Sequence, residues 1–92
     1  MSQAFNDLIK SFDKALADKE KGKFDKEDVK EIYEAAHVLF DGKVNLTQSQ
    51  IEQIRDRWVK LAEGKIDKGG AIKKLHGTSR AEAIRSVLLS SL

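Results

Sequence analysis

Cysteine and proline are both missing from the 92 residues. Without cysteine there is no disulfide framework and no thiolate metal site, which suits a reducing compartment. Long apolar runs are missing too: no segment approaches the roughly 20 apolar residues that span a bilayer. The opening stretch MSQAFNDLIKSFDK carries Asp7 and no apolar run, so no secretory signal is expected and a cytoplasmic protein is. Histidine occurs only as His37 and His76, far apart in sequence and outside any metal-spaced motif such as H-E-x-x-H. Each is expected in a partly buried or helix-capping role.

What is present is charge and helical periodicity. Charged residues make up 35% of the chain and apolar residues 40%, as in a folded soluble domain with a charged surface. At this length one domain with one core is expected. Net charge is +2, unevenly spread: residues 1–41 sum to −3 and residues 42–92 to +5. A basic second half would favour an anionic partner, but ordinary surface charge on a small domain is the favoured explanation.

Every strong apolar pattern has helical spacing. Phe5, Leu8, Ile9, Phe12 and Leu16 share one face, as do Val29, Ile32, Tyr33, Ala36, Leu39 and Phe40. Ile51, Ile54, Trp58, Leu61 and Ala62 form a third stripe, and Ala71, Ile72 and Leu75 a short fourth. The fifth joins Ala81, Ile84, Leu88 and Leu92, widened by Val87 and Leu89. Such faces must pack on one another, which predicts an all-α bundle of four to five helices in a single domain. Thr47 with Gln50 and Ser79 with Glu82 have capping-box spacing. Asp25, Asn45 and Asp67 are expected at or near helix starts, and Gly77 is expected to close the fourth helix in a left-handed conformation.

One short pattern recurs: KGKFD (21–25), DGKVN (41–45) and EGKID (63–67), each following a predicted helix. It resembles the middle of an EF-hand loop, where glycine makes the bend and the apolar residue two places on joins a short strand pairing. The ligand positions test this. With Gly22 at the loop glycine, the first three ligand positions fall on Ala17, Lys19 and Lys21 and the last on Asp28. With Gly42 they fall on His37, Leu39 and Asp41; with Gly64, on Val59, Leu61 and Glu63, and the last on Gly70. Lysine supplies no oxygen and repels a dication, so no calcium and no other metal is expected. The motif is predicted to be a turn: glycine ends a helix, the apolar residue anchors the connection in the core, and Asp or Asn opens the next helix. Pairing of KFD and KVN as miniature strands is the alternative. If Gly42 has a positive φ, Gly42→Ala should cost about 1 kcal/mol.

Other chemistry is not visible. Carboxylates alternate with lysines as on a solvated helix face. The Gly-Lys pairs lack the remainder of a phosphate loop, and no nucleophile elbow or dinucleotide fingerprint can be read. No catalytic residue and no cofactor is expected, and the chain is not expected to be an enzyme.

Two functions remain. The leading one is a helical module that binds another protein or itself, with Val87, Leu89 and Leu92 as a surface wider than one buried stripe requires. The alternative is a nucleic-acid-binding regulator using Lys68, Lys73, Lys74, Arg80 and Arg85. There LHGTSRAEAIRSVL resembles a helix–turn–helix corner, and TSRAEAIR superficially resembles the second helix of ribbon–helix–helix repressors. The base-reading strand that ribbon–helix–helix proteins require is not evident, and a C-terminal helix docked on the bundle explains the same residues.

Overall fold

Apolar stripes at helical spacing become five α-helices in the computed structural model, which describes residues 2–42 and 44–92. They are α1 (Gln3–Glu20), α2 (Lys26–Asp41), α3 (Gln48–Ala62), α4 (Lys68–Leu75) and α5 (Arg80–Leu89), with no strand among the described residues. No strand pairs the KFD stretch with Val44 and Asn45, and Lys43 of the KVN stretch lies outside the described residues. In the bundle, α1 packs against α2 and α3, and α5 packs against the same two helices. The consecutive helices α2 and α3 thus lie across the core from each other rather than side by side. Helix α4 closes one side, against α3 and α5.

The core follows the periodicity. Phe5, Leu8, Phe12 and Ala15 are buried from α1, Val29, Ile32, Ala36 and Leu39 from α2, and Ile54, Trp58, Leu61 and Ala62 from α3. Ala71 and Leu75 come from α4, and Ala81, Ile84 and Leu88 from α5. Ile9, Leu16, Tyr33, Phe40 and Val87 border this core and are only partly buried. Leu92 departs from expectation: α5 ends at Leu89, so Leu92 lies past its last turn and is 50% exposed.

Local chemistry sets most boundaries. Ser2 caps α1 by accepting from the Phe5 amide at 3.3 Å. Asp25 and Asp28 form a reciprocal box at α2, Thr47 and Gln50 another at α3, and Asp67 accepts from the Gly70 amide at 2.6 Å. Three expectations are corrected. Ser79 precedes α5 but makes no side-chain cap: its ψ of 50° departs from the extended backbone of the capped helix starts, and the Glu82 carboxylate that would complete the box is drawn across to α2. Asn45 lies ahead of the true cap, Thr47. Gly77 is not left-handed, and its amide donates to the Lys74 carbonyl at 3.1 Å.

The three glycine turns are also not equivalent. Gly22 (φ 70°) and Gly64 (φ 82°) are left-handed, whereas Gly42 is right-handed at φ −71°. The reason is the length of the connection: α2 and α4 begin four residues after their glycines, but α3 begins six after Gly42. The longer connection does not need an abrupt reversal. Val44 likewise fails to anchor its turn, being 39% exposed, and Leu46 packs against the core instead. Gly22→Ala and Gly64→Ala are therefore each expected to lower stability by about 1 kcal/mol. Gly42→Ala meets no left-handed strain, but its added carbon would crowd the Val38 carbonyl at 3.3 Å, so a smaller loss of about 0.5 kcal/mol is expected. Urea denaturation followed by circular dichroism measures all three, and an equal loss at Gly42 would contradict the connection-length explanation.

Candidate functional site

Lys19, at a would-be ligand position, sends its ammonium to the Leu61 carbonyl at 2.6 Å and to Glu63 at 3.4 Å, and lies 5.5 Å from the Phe24 ring centre. A lysine thus staples the first turn to the third and satisfies a carbonyl at the C-terminal end of α3. The neighbouring Ala62 carbonyl accepts from the Ser91 hydroxyl at 3.3 Å, so the chain's last residues pin the same helix end. No grouping of His, Asp and Glu suited to a metal ion occurs among the described residues. No helix among them is long and apolar enough to cross a membrane.

Polar side chains gather instead where α2 meets α5. On α2, Lys26, Lys30, Tyr33, His37 and Asp41 follow one another at spacings of three or four residues and form one stripe. On α5, Glu82, Arg85 and Leu89 do the same. The helices run antiparallel, so the Tyr33 hydroxyl donates to Glu82 at 3.0 Å while the Arg85 guanidinium lies 4.8 Å from the Tyr33 ring centre. His37 presents Nδ1 to Asp41 and Nε2 to Glu82, the latter at 3.5 Å, and its ring meets Tyr33 edge-on. Arg80 lies over the Phe40 ring at 5.2 Å.

This network has an electrostatic signature. Donation from Tyr33, the Glu82 backbone amide and the nearby imidazole hold the Glu82 carboxyl below the usual carboxylate range. The same bond, with partial burial, pushes the Tyr33 phenol up. A carboxyl with a depressed pKa contributes stability that is present above its unfolded value and lost as pH falls through its folded one. A phenol with a raised pKa contributes stability that is lost as pH rises through its folded value. Tyr33→Phe is expected to raise the Glu82 pKa towards the ordinary range. Carboxyl-carbon NMR titration checks this, and an unmoved Glu82 would show that the hydroxyl does not hold it.

A depression sits at each end of the seam. The larger, about 560 Å³, lies between the C-terminal end of α2 and the α4–α5 turn and is lined by Phe40, Asp41, His76 and Arg80 among others. The smaller, about 280 Å³, has Val29, Tyr33 and Leu89 among its lining, with Lys26, Lys30 and Arg85 around them.

The residues expected to bind a partner are thereby sorted. Leu89 is 42% exposed and belongs to the smaller groove, whereas Val87 is partly buried against the core. Of the basic residues, Lys68, Lys73 and Lys74 are exposed on α4, while Arg80 and Arg85 lie over the aromatic rings of α2. Helix α5 docks on α2, α3 and α4. Periodicity could not find the Tyr33–His37–Glu82 network, because its members lie 49 and 45 residues apart in sequence and only the helix pairing joins them. Comparison with family models, curated proteins and solved structures returned no match.

Proposed function

We propose that this chain is a non-enzymatic binding module that holds another protein along the α2–α5 seam, in the reducing environment that its cysteine-free sequence suits. The observation that carries this reading is Leu89, a half-exposed leucine in a groove beside buried Val29 and partly buried Tyr33. An apolar side chain in a concave site with a polar rim is how a docking surface begins. The polar network beside it favours binding over catalysis, since both His37 nitrogens already face carboxylates and neither is free to serve a substrate as base.

The test uses the full chain as bait in quantitative affinity capture, wild type against Leu89→Lys. At a half-exposed position the substitution should change stability by no more than about 0.5 kcal/mol, so a loss of capture reports the surface rather than the fold. Specific partners retained by Leu89→Lys would sink the reading. A second reading, nucleic-acid binding, draws on the exposed Lys68, Lys73 and Lys74, which form no ion pair among the described residues. It requires steeply salt-dependent binding to duplex or single-stranded DNA.

A further inference from the structure

Charge is segregated along the seam. At the end nearer the α4–α5 turn, Asp41 and Glu82 both face His37, and Glu82 also takes the Tyr33 hydroxyl. Those carboxylates already have hydrogen-bonding partners within the molecule. At the other end Lys26, Lys30 and Arg85 surround the smaller groove, and no carboxylate lies within ion-pair distance of any of them among the described residues. Glu27 is the single acid in that lining. Stacking over Tyr33 orients the Arg85 guanidinium without consuming its N–H donors, which suits forked recognition of a carboxylate.

Size and shape restrict the occupant. At about 280 Å³ the groove is at the lower limit of the roughly 300–1,000 Å³ that small-molecule and cofactor sites occupy. It suits one large apolar side chain set against Leu89 and Val29. Nucleic acid fits this end poorly, because the Tyr33 face that a base would stack on is covered by Arg85. We infer that the groove receives an acidic segment of a partner protein, in which one leucine or phenylalanine anchors between flanking carboxylates that meet Lys26, Lys30 and Arg85. This inference rests on the binding-module reading above and adds the chemistry of the partner.

Fluorescence anisotropy with short fluorescein-labelled peptides tests it. One set carries a central Leu or Phe flanked by Asp and Glu, a second has the same anchors flanked by Ser, and a third keeps the acids around a central Ala. The acidic anchored set is expected to bind the full chain most tightly, and more weakly as salt rises. Lys30→Glu combined with Arg85→Glu should weaken that binding by at least about tenfold. Lys73→Glu with Lys74→Glu on α4 should leave it unchanged, and Leu89→Lys should abolish it. Should the charge-reversed variant fold poorly by circular dichroism, Lys26→Gln with Lys30→Gln gives the same direction with a smaller loss.

The outcomes separate the two claims. Equal binding of the serine-flanked set, lost in Leu89→Lys but not on charge reversal, keeps the seam as a docking surface and overturns the acidic partner. Binding by no set, together with partner capture unaffected by Leu89→Lys, overturns both. Displacement of bound acidic peptide by duplex DNA, with loss in the Lys73/Lys74 variant, transfers the basic residues to the nucleic-acid reading. Self-association in sedimentation, removed by Leu89→Lys and accompanied by no peptide binding, would make a second copy the occupant and also overturn the inference.

Discussion

Replacing Trp58 with alanine is expected to destabilise the fold by about 3–5 kcal/mol, the usual cost of deleting a buried aromatic ring and leaving a cavity. Trp58 is wholly buried on α3, within the core that all five helices share. Folds of this length are stable by roughly 5–14 kcal/mol, so the variant would be left near the edge of folding. Trp58→Phe should behave differently. The indole N–H is buried without an acceptor among the described residues, and such an orphan donor costs about 1–3 kcal/mol in the native state. Phenylalanine removes that penalty along with part of the ring, so its net loss should be about 1–2 kcal/mol, below that of alanine. Urea denaturation of the three proteins by circular dichroism decides it. Equal losses for Phe and Ala would mean that the indole N–H is satisfied in solution.

That Trp58 belongs to the core could be read from the sequence, because spacing alone places it on the stripe of Ile54, Leu61 and Ala62. The same physics made the helices legible: an apolar face of period 3.6 has to be covered. Caps at Asp25, Thr47 and Asp67 were legible for a different reason, since donor and acceptor lie within three residues of each other. The local rule failed at Ser79, where the backbone is not extended as a cap requires and the Glu82 carboxylate has its partners on another helix. It failed at Gly42 too. A repeated motif made the three glycines look alike, but their φ angles follow the distance to the next helix.

The candidate site was legible only in part. Leu89 stood out as excess apolar surface, and the charges around the seam were visible as residues. Periodicity specifies which face of a helix is buried but not which helix covers it. Nothing local could therefore place Arg85 over Tyr33 or leave Lys26 and Lys30 beside Leu89. Partial burial of Tyr33, Phe40 and Val87 has the same origin, since each borders a seam rather than the centre of the bundle.

The second large effect is expected at Asp28, the one buried charged residue among those described, with 2% of its surface exposed. Its carboxylate does two jobs. One oxygen accepts from the Asp25 amide at 3.3 Å and completes the box that starts α2, while the other takes the Lys14 ammonium of α1 at 3.1 Å. Lys14 also reaches Glu31 at 3.3 Å and Asp18 at 3.4 Å, so Asp28→Ala does not strand it. The loss is the cap and a hydrogen bond to a charged group, together about 2 kcal/mol. Asp28→Asn keeps an acceptor for the Asp25 amide and should cost less than about 1 kcal/mol.

Titration separates charge from shape. Burial, and then the neighbouring Asp18 carboxyl, push the Asp28 pKa up against the opposing pull of Lys14 and the Asp25 amide. Asp18 is held low, chiefly by its hydrogen bond with Asp28 and also by Lys14. The raised group contributes stability at low pH that is lost as pH rises through its folded value. The depressed group contributes stability above its unfolded value that is lost as pH falls. The two slopes lie on opposite sides of the ordinary aspartate value, so this pair should make stability rise as pH climbs towards that value and fall beyond it, with a maximum between the two folded pKa values. In Asp28→Asn the first slope disappears and the second shrinks to what Lys14 sustains, so Asp18 should titrate closer to an ordinary aspartate. Carboxyl-carbon NMR of Asp18 in wild type and variant reads this directly. An unchanged Asp18 pKa would show that the two carboxyls do not share a proton, leaving Asp28 its capping and Lys14-pairing roles alone.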